Sequence, residues 1–526
     1  MRLYRRANRD GNPRQLTSGA PGSPYGLVWA AVLYAIRIAL AAGLVSVVLP
    51  AAASSQALHP SLGLAPPIGQ PGGLATAVTD PVRFAGPGAA AAFADVRAAG
   101  ATVVRLQLNW SQTAPDAPEN GADPNDPAYD WSSFDSTLDA AISAGLTPIA
   151  DIVAAPAWAL AVPASSAGPG IPSADALGLF ASAAAQRYDG GASGRPRIYL
   201  WQVWNEPNLD TNLSPQLVNG APLAPAHYRA MVNAVAVSVK AVSPDNLVIA
   251  GGLAPFRDIT PDTLGQNQDW GPLSFMRDLL CLSVNLKPTC HTPIRFDIWS
   301  THPYTSGGPT HHAARPNDVS LGDLAKMSKL LAAAQAVQQI SSSGPVRFWV
   351  TEFSWDSKPP DPQGVPTSLL ERWVPEALYR MWVAGISLVT WFSVDDDPPS
   401  QSYFQSGLYY QNGKPKPYRE GFRFPFVAFP RDKGAYVWGR TPWGRPGRVA
   451  VEQRVGSRWR PLGTVETNAN GIFQRTFHAV SGTLLRARLV GVGERSLPFS
   501  LKAVPDQFFN PFGGLTLLEP PPRKHR

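Results

Sequence analysis

The feature that most limits what this chain can fold into is a repeated alternation of short apolar runs with helix-like segments between residues 66 and 430. The runs are rich in β-branched and aromatic residues and are often apolar throughout, as strands buried in a parallel sheet are. The eight strand candidates are Leu74–Thr79, Val103–Trp110, Thr147–Val153, Ile198–Trp204, Leu247–Leu253, Phe296–Thr301, Arg347–Thr351 and Ser387–Ser393. The segments between them are amphipathic or rich in alanine, for example Ala89–Ala99, Ser132–Ala144, Ser173–Tyr188, Ala226–Val242, Leu321–Ile340 and Ser368–Ala384. Eight β-then-α units in one region predict an α/β fold of the (β/α)8 TIM-barrel type with long loops.

The rival architecture is an open, doubly wound α/β sheet. A nucleotide-binding sheet of that kind would carry a glycine-rich phosphate loop directly after a strand. The chain has only isolated glycine pairs, Gly190-Gly191 and Gly251-Gly252, and the run 247–253 lacks the G-x-G-x-x-G spacing. We therefore predict the barrel and assign it to residues 58–432.

The sequence changes character after Gly434. Short alternating strands with turns, such as the one at Asn470-Gly471, predict a small all-β sandwich domain over residues 433–502. Trp438, Trp443 and Trp459 would suit carbohydrate binding, but we prefer the interpretation of a structural or wall-contact domain. The last stretch, 503–526, contains PPP and RKHR and predicts a flexible tail.

Residues 1–57 have the composition of an export signal. Five arginines and one aspartate precede a long apolar stretch from Gly26 to Ala53, which Arg37 interrupts once. Its uncharged part, Ile38–Pro50, has the length of a signal-peptide core, and small residues follow it. The alternative is an uncleaved membrane anchor, because residues 26–53 are enough to span a bilayer. In both cases we expect a secreted or cell-surface protein of bacterial-type export, with membrane contact only through this segment.

Export bears on the two cysteines of the chain. Cys281 and Cys290 lie nine residues apart in one loop-like segment. In an oxidising compartment we predict a disulfide that closes this loop, with two unpaired thiols as the alternative. Their spacing matches no common metal motif.

The net charge of +7 first suggests nucleic acid or a membrane surface as a partner. The charge is unevenly distributed, however. The barrel region 58–432 holds 24 Lys and Arg against 32 Asp and Glu, whereas residues 433–502 hold 12 against 3. We therefore expect no nucleic-acid partner for the barrel. The basic sandwich would hold the protein near anionic cell-wall or glycan material.

Two glutamates stand at the carboxyl ends of the fourth and seventh strand candidates. Glu206 lies in the string WNEPN (204–208), and Glu352 lies in FWVTEFSW (348–355). The active sites of (β/α)8 barrels lie at the carboxyl ends of the strands, so both side chains would project into one cleft. Cleaving a glycosidic bond needs such a pair, because one carboxyl protonates the leaving oxygen while the other meets the oxocarbenium-like carbon.

With these strings, the region 66–430 resembles the clan A retaining glycoside hydrolases, most closely family 39 and its family 5 relatives. The resemblance does not extend to the leader or to the sandwich, and the latter resembles immunoglobulin-like modules. It implies that Glu206 is the acid/base and Glu352 the nucleophile of a double displacement. The substrate would be an oligo- or polysaccharide with β-linkages, and the chemistry needs no metal and no cofactor.

The same resemblance implies binding roles for neighbouring residues. Asn205 resembles the residue that binds the sugar 2-hydroxyl. Arg105 resembles the second-strand arginine that hydrogen-bonds the nucleophile, and its charge would keep Glu352 ionised. His302 and Tyr304 resemble an aromatic pair near the nucleophile, with the tyrosine hydroxyl donating to Glu352.

Two tryptophans are expected to form the walls of the cleft. Trp391, at the end of the eighth strand candidate, resembles the platform under the sugar at the cleavage point, and Trp158 is expected to form a second platform. For catalysis at the glutamates, burial and a nearby carboxylate should raise the pKa of Glu206. Retention requires a separation of about 5 Å between the two carboxyl groups.

The sequence leaves alternatives open. A transglycosylase would use the same two glutamates with a sugar hydroxyl in place of water. A barrel that had lost catalysis would only bind glycans, although the intact pair argues against this. The sugar, the linkage and the choice between exo and endo action stay undetermined at this stage.

Overall fold

The computed structural model describes residues 72–509, except 167, 257–269, 399–403, 433 and 481. The predicted leader, 1–57, lies outside the described residues, as does the tail beyond 509. Within the described part, no helix is both long and apolar enough to cross a membrane.

Eight parallel strands close into a barrel in which each strand pairs with its neighbours in chain order. They are β1 Ala75–Thr79, β2 Val103–Asn109, β3 Thr147–Val153, β4 Leu200–Val203, β5 Leu247–Leu253, β6 Ile298–Thr301, β7 Arg347–Phe353 and β8 Ile386–Phe392. Strand β8 pairs with β1 and closes the ring. The predicted (β/α)8 fold is therefore confirmed.

Helices cover the outside of the barrel. Those of five or more residues are α1 Ala89–Ala98, α2 Ser132–Ser143, α3 Ala174–Arg187, α4 Ala224–Val242, α5 Pro272–Leu279, α6 Leu324–Ala336, α7 Thr367–Val383 and the short α8 Arg419–Arg423. The Ser173 hydroxyl caps α3 by accepting a hydrogen bond from the backbone N–H of Ala176. Alanine and glycine allow α3 and α4 to approach closely, since a Cβ on Gly178 would lie 3.3 Å from that of Ala234.

The barrel interior changes character along its axis. Its apolar layer consists of Ala75, Ala77, Val103, Ile149, Leu200, Ile249, Ile298, Trp349 and Leu388. Toward the carboxyl ends of the strands, the buried polar side chains of Arg105, Asp151 and Gln202 replace this apolar filling. Because buried polar groups need partners, this end of the barrel requires a hydrogen-bonded network.

Two antiparallel sheets follow the barrel. Strands β9 Phe426–Arg431, β10 Gly434–Arg440 and β13 Ile472–Phe477 form one sheet, and β11 Arg448–Val455, β12 Arg458–Glu466, β14 Leu484–Leu489 and β15 Phe499–Ser500 form the other. Strand β9 pairs with β10 along its whole length. The sheets therefore begin at Phe426, ahead of the boundary predicted at residue 433.

The tryptophans of these sheets are engaged within the protein. Trp438 is fully buried and packs on Trp382 of α7, with 5.4 Å between ring centroids. The guanidinium of Arg486 covers Trp459 at 4.1 Å from the ring centroid. The Trp443 indole donates to the carbonyl of Arg97 over 3.0 Å.

The first residues of the predicted flexible tail pack on the barrel, so that prediction does not hold for residues 506–509. The Asp506 carboxylate accepts a hydrogen bond from the backbone N–H of Gly308 at 2.7 Å and contacts His311 at 2.9 Å. Phe509 packs on Trp373 with 5.8 Å between ring centroids.

Farther along the barrel wall, Cys281 and Cys290 form a disulfide with a Cα separation of 5.5 Å.

Candidate active site

Glu206 follows β4 on an unusual stretch of backbone. Trp204 and Glu206 both adopt positive φ angles, 68° and 45°. Side chains with a Cβ rarely occupy this left-handed region, so the surrounding contacts must stabilise it. The backbone N–H of Glu206 donates to the carbonyl of Gly252 at 3.0 Å, and the Trp204 indole donates to the carbonyl of Asn212 at 3.0 Å. The turn that follows β4 therefore holds the Glu206 carboxyl over the barrel mouth.

The last residue of the WNEPN string braces this turn. Asn208 is fully buried, and its amide nitrogen donates to the carbonyls of Ala254 and Trp270. Its amide oxygen accepts from the backbone N–H of Ala254 at 2.9 Å. The sequence analysis assigned Asn208 no function. In the structure its hydrogen bonds connect the loop after β4 with the loop after β5.

Glu352 owes its direction to an irregularity in β7. The pairing of β7 with β8 shifts register between Val350 and Phe353. A shift of this kind inserts an extra residue on one strand and re-aims the side chains around it. As a result Thr351 contacts His302 and Glu352 contacts Arg105, although the two residues are adjacent in a strand.

The two glutamates face each other across the mouth of the barrel. A carboxylate oxygen of Glu206 and one of Glu352 lie within 4.8 Å of each other. Each side chain is 18% exposed, which leaves it accessible to a substrate from the cleft. This separation agrees with the carboxyl spacing of roughly 5 to 5.5 Å found in retaining glycosidases and is shorter than the roughly 6.5 to 9.5 Å of inverting ones.

Arg105 connects the residues around the nucleophile candidate. Its Nη1 donates to Glu352 Oε2 at 3.0 Å, and its Nη2 donates to the Asn205 side-chain oxygen at 2.6 Å. The same Nη2 lies 2.6 Å from a carboxylate oxygen of Asp151. One buried guanidinium thus orients the Glu352 carboxylate and the Asn205 amide together, and Asp151 holds that guanidinium from below.

Asp151 is a site residue that the sequence analysis missed. It lies in the middle of β3, faces the barrel interior and is fully buried. Burial raises its pKa to about 7, and the Arg105 charge acts in the opposite direction. A lone aspartate in the otherwise apolar run TPIADIV was the available signal, because an aspartate is almost never fully buried unless it is paired.

Tyr304 completes the contacts to Glu352. Its hydroxyl donates to Glu352 Oε1 at 2.8 Å, while Arg105 occupies Oε2. Each carboxylate oxygen therefore has its own donor, and the head group is fixed in one plane. Burial raises the pKa of Tyr304 well above its usual value, so the hydroxyl retains its proton for this bond.

His302 lies near Glu352, as expected, and its direct contact is with the other glutamate. Its Nδ1 is 2.9 Å from Glu206 Oε1, and its Nε2 is 3.2 Å from the Thr351 hydroxyl. The ring is fully buried, and burial lowers its pKa to about 3, so the imidazole is neutral near pH 7. A neutral imidazole shares one proton with Glu206 and adds no positive charge beside it.

The Glu206 environment favours the protonated carboxyl. Burial raises its pKa to about 7, against the opposing effect of the Arg105 charge. A carboxyl with such a pKa is a competent proton donor at neutral pH. Glu352 differs in its contacts, because Arg105 brings a positive charge directly to its carboxylate.

Trp391 is buried outside the barrel and presents no open face to the cleft, unlike the platform that was expected. It is 1% exposed, its indole donates to the carbonyl of Ser406 at 2.8 Å, and its ring packs on Tyr418 outside the barrel. Side chains alternate along a strand, and Leu388 faces the interior, so Phe392 rather than Trp391 shares that inward face. Phe392 is half-buried, with its ring edge-on to Phe404 at 5.2 Å.

Trp158 lies farther out, in the wall between the loops that follow β2 and β3. Its ring meets Trp110 edge-on at 5.7 Å, and its indole donates to the carbonyl of Ala114 at 3.0 Å. The side chain is half-buried. The contacts of Trp158 are therefore with the segment that follows β2.

Open space flanks the network on two sides of Gln107, an exposed residue near the end of β2. One cavity of about 360 Å³ includes Arg105 and Asn109, and another of about 350 Å³ includes Asn205 and Leu160. Both are lined by polar and apolar groups in similar amounts. Such lining suits sugar rings, which present both hydroxyls and apolar faces.

Among the described residues, one group has the composition of a metal site. Glu206, His302 and Glu352 each offer a ligand atom within 4.8 Å of the other two. A cation there would have to replace the contact between His302 and Glu206 and the donors on Glu352. The ligand atoms of these side chains are therefore already engaged in hydrogen bonds within the protein.

The family comparison covers most of the barrel. Residues 69–388 match the family model described as cellulase (glycosyl hydrolase family 5). No curated protein matches this sequence.

Several solved structures are similar to the chain. They include a family 39 glycoside hydrolase from Bacteroides cellulosilyticus WH2, with 15% identity, a TM-score of 0.47 and coverage of 76% of this chain and 80% of that one. A monomeric beta-xylosidase from Caulobacter crescentus CB15 has 15% identity and a TM-score of 0.44, with coverage of 78% and 96%. The GH39 enzyme from Xanthomonas axonopodis pv. citri has 16% identity and a TM-score of 0.44, with coverage of 82% and 94%.

Proposed function

Because the chain belongs to the cellulase family of glycoside hydrolases (glycosyl hydrolase family 5), we propose that it is an exported retaining glycosidase that cleaves β-linked glycans. The observation that carries the proposal is the separation of at most 4.8 Å between carboxylate oxygens of Glu206 and Glu352. That distance leaves room for a sugar carbon on one carboxylate and too little for a water molecule between substrate and base, as inversion would need.

In the first step Glu352 attacks the anomeric carbon and forms a glycosyl ester. Glu206 gives its proton to the leaving oxygen as the glycosidic bond breaks. The pKa of about 7 supports Glu206 as the donor, because the proton is present below that pH and is still acidic enough to transfer. Arg105 and Tyr304 hold the attacking oxygens in place.

In the second step Glu206, now ionised, removes a proton from water. The resulting hydroxide attacks the anomeric carbon, the ester bond to Glu352 breaks, and both side chains return to their starting states. The neutral His302 beside Glu206 leaves the carboxyl free to gain and lose this proton. Asn205, held by Arg105, is positioned to bind a sugar hydroxyl next to the reacting carbon.

Phe392 replaces Trp391 in the proposal as the ring that supports the sugar. It shares the inward face of β8 with Leu388, and it pairs in register with Thr79 of β1. Aromatic faces pack on the apolar faces of sugars.

Export is supported by the composition of residues 1–57 and by the disulfide between Cys281 and Cys290, since disulfides persist mainly in oxidising compartments.

The proposal is tested on the purified protein with 4-nitrophenyl β-glycosides of several sugars, the matching α-glycosides and neutral polysaccharides. We expect hydrolysis of at least one β-glycoside, with the β-anomer of the free sugar formed first in a proton NMR time course. Release of the α-anomer first would refute retention. Glycan binding without turnover across the panel would refute the hydrolase assignment.

A further inference from the structure

A third cavity, separate from the two beside Gln107, lies at the opposite end of the barrel from the glutamates. Its volume is about 320 Å³. The strand starts Ala75 and Thr147 form one side of it, and residues of the C-terminal sheets, including Arg440 and Trp443, form the other. Nothing in the proposed chemistry uses this cavity.

Arg440 is the unusual residue there. It ends strand β10, and its side chain is 1% exposed. Its Nε and Nη1 are buried without a hydrogen-bond partner, and no carboxylate among residues 72–509 that the structure describes forms an ion pair with it. A charged group that is buried and unpaired is strongly unfavourable in a folded protein.

The conformation of the chain places this guanidinium beside the cavity. Gly444 adopts a φ of +65°, and a Cβ there would lie 3.2 Å from Arg440 Nη2 and 3.4 Å from Nε. The glycine thus keeps the space over the guanidinium open. Thr102, on the barrel side of the same cavity, has a buried hydroxyl without a partner among the described residues.

Two more arginines line the cavity. Arg97 donates to the carbonyl of Ala101 at 3.2 Å, and the Arg445 guanidinium lies 5.1 Å from the Trp443 ring centroid. Burial and the neighbouring Arg445 charge both lower the pKa of Arg97, so these cations are close enough to repel each other. In the described part of the chain, neither forms an ion pair with a carboxylate.

We propose that this cavity binds an oxyanion, a sulfate, phosphate or carboxylate group, between Arg440, Arg97 and Arg445. Guanidinium groups bind such anions through paired N–H donors, and Arg440 has free donors to offer. The Thr102 hydroxyl adds a neutral donor on the opposite wall. An anion would supply the negative charge that partners the three arginines. Water would satisfy their hydrogen bonds but leave their positive charges unbalanced.

The test uses the whole protein and inorganic sulfate as the probe, titrated by isothermal calorimetry at constant ionic strength. We expect saturable binding to one site in the native protein. Arg440→Met should weaken it by roughly tenfold or more, because hydrogen bonds between charged groups are among the strongest in proteins. The matched control is Arg458→Met, which removes an exposed arginine of the same sheets and should leave binding unchanged. Equal sulfate binding by native protein and Arg440→Met would overturn the proposal.

Stability in sulfate-free buffer gives a second, independent outcome. Removing an unpaired buried charge should leave Arg440→Met at least as stable to heat as the native protein. A clear drop in Tm would instead make Arg440 a structural residue and overturn the proposal. If Arg440→Met does not fold, Arg445→Met, an exposed change at the rim, must weaken sulfate binding for the proposal to stand.

Dextran sulfate and neutral dextran separate the two sources of the anion. Binding of inorganic sulfate alone means a free-ion site, whereas competition by dextran sulfate but not by dextran extends the site to acidic glycans. Activity on aryl glycosides is measured in parallel. Because the cavity lies at the other end of the barrel, loss of the anion site with unchanged hydrolysis, or the reverse, shows which of the two proposals has failed.

Discussion

Two fully buried arginines mark the two ends of the barrel, and their surroundings are opposite. Burial disfavours the charge on Arg105, but Asp151 and Glu352 outweigh it, so the pKa of Arg105 is raised. Arg440 has no carboxylate partner in the part of the chain that the structure describes, and burial lowers its pKa to about 10. The first arginine is fixed among three side chains, and the second has free donors beside a cavity.

The difference shows what pairing does for a buried charge. At the glutamate end, every contact of Arg105 directs another side chain, so the charge acts through preorganised geometry. At the sheet end, Arg440 forms no hydrogen bond or ion pair with another side chain of the described residues. A buried charge with carboxylate partners therefore indicates a positioning role, while one without them indicates a ligand that supplies the opposite charge.

The largest effect should come from the paired end. Replacing the nucleophile with Glu352→Gln should reduce kcat on a β-glycoside substrate by a factor on the order of 10⁴ to 10⁶, as loss of a nucleophile does in other covalent catalysts. The control, Glu466→Gln, changes a glutamate of the C-terminal sheets that is 72% exposed, and it should be fully active. Steady-state rates on a chromogenic glycoside measure both, and retention of more than a few per cent activity by Glu352→Gln would remove the proposed role.

The acid/base variant should lose less, in a pattern that identifies its role. Glu206→Gln should slow glycosides with poor leaving groups by roughly 10² to 10⁴. Substrates with a dinitrophenyl leaving group, which needs no proton, should still glycosylate the protein rapidly. Azide needs no base to attack, so added azide should restore turnover.

The pH profile sharpens the same assignment. In the native protein, activity should fall as the pH rises through about 7, where Glu206 loses its proton. In Glu206→Gln this alkaline limb should be absent. An unchanged alkaline limb in the variant would assign the limb to another group.

Asp151→Asn tests the pairing itself. Loss of the charge that anchors Arg105 should lower kcat by roughly 10- to 100-fold, since a charged hydrogen bond contributes about 1.5 to 3 kcal/mol. Without the negative charge of Asp151, the positive charge of Arg105 would lower the pKa of Glu206 further. The alkaline limb of the pH profile should therefore move to lower pH. The groups that face Asp151 and Arg105 are Glu352 on β7, Glu206 after β4 and Tyr228 on α4.

The matched control for that variant is Asp139→Asn on the outer surface of α2, which should change neither kcat nor the pH profile. A purely structural Asp151 would lower the fraction of folded protein without moving the alkaline limb. That result, measured with active-site titration, would reject the positioning role.

The smallest effect concerns the sugar platform. Phe392→Ala should weaken kcat/KM by about two- to tenfold, in line with the roughly 0.5 to 1.5 kcal/mol of an aromatic contact. Trp391→Phe, which keeps a ring on the outward face, should leave kcat/KM of the folded protein unchanged. A larger loss of kcat/KM in Trp391→Phe than in Phe392→Ala would instead assign the platform to Trp391.

Much of the paired end could be predicted from sequence. The strands β3 and β5 have the predicted ends, because continuous apolar runs bounded by polar residues leave little freedom. Glu206 and Glu352 were found because motifs at strand ends determine which residues reach the barrel mouth. Arg105 was identified from the family resemblance, and it contacts Glu352 directly.

The incorrect predictions concern residues whose placement depends on the register of a strand or on contacts with residues distant in sequence. Trp391 and Phe392 are adjacent aromatics, and only the pairing of β8 determines which one faces inward. The predicted place of His302 near Glu352 agrees with the structure, but its contact with Glu206 depends on how the loop after β6 crosses the mouth, which no local pattern encodes. The unpaired state of Arg440 is a property of two domains that meet, so the sequence of neither predicts it.

The central claim is that Glu352 becomes covalently attached to the sugar, and trapping that species tests it most directly. A 2-deoxy-2-fluoro β-glycoside with a dinitrophenyl leaving group, chosen to match the sugar that the panel identifies, should inactivate the protein with one equivalent of sugar bound. Mass spectrometry of peptides should then place the label on Glu352. Inactivation with the label on another residue, or steady turnover of the native substrate without any trapped species, would contradict the account.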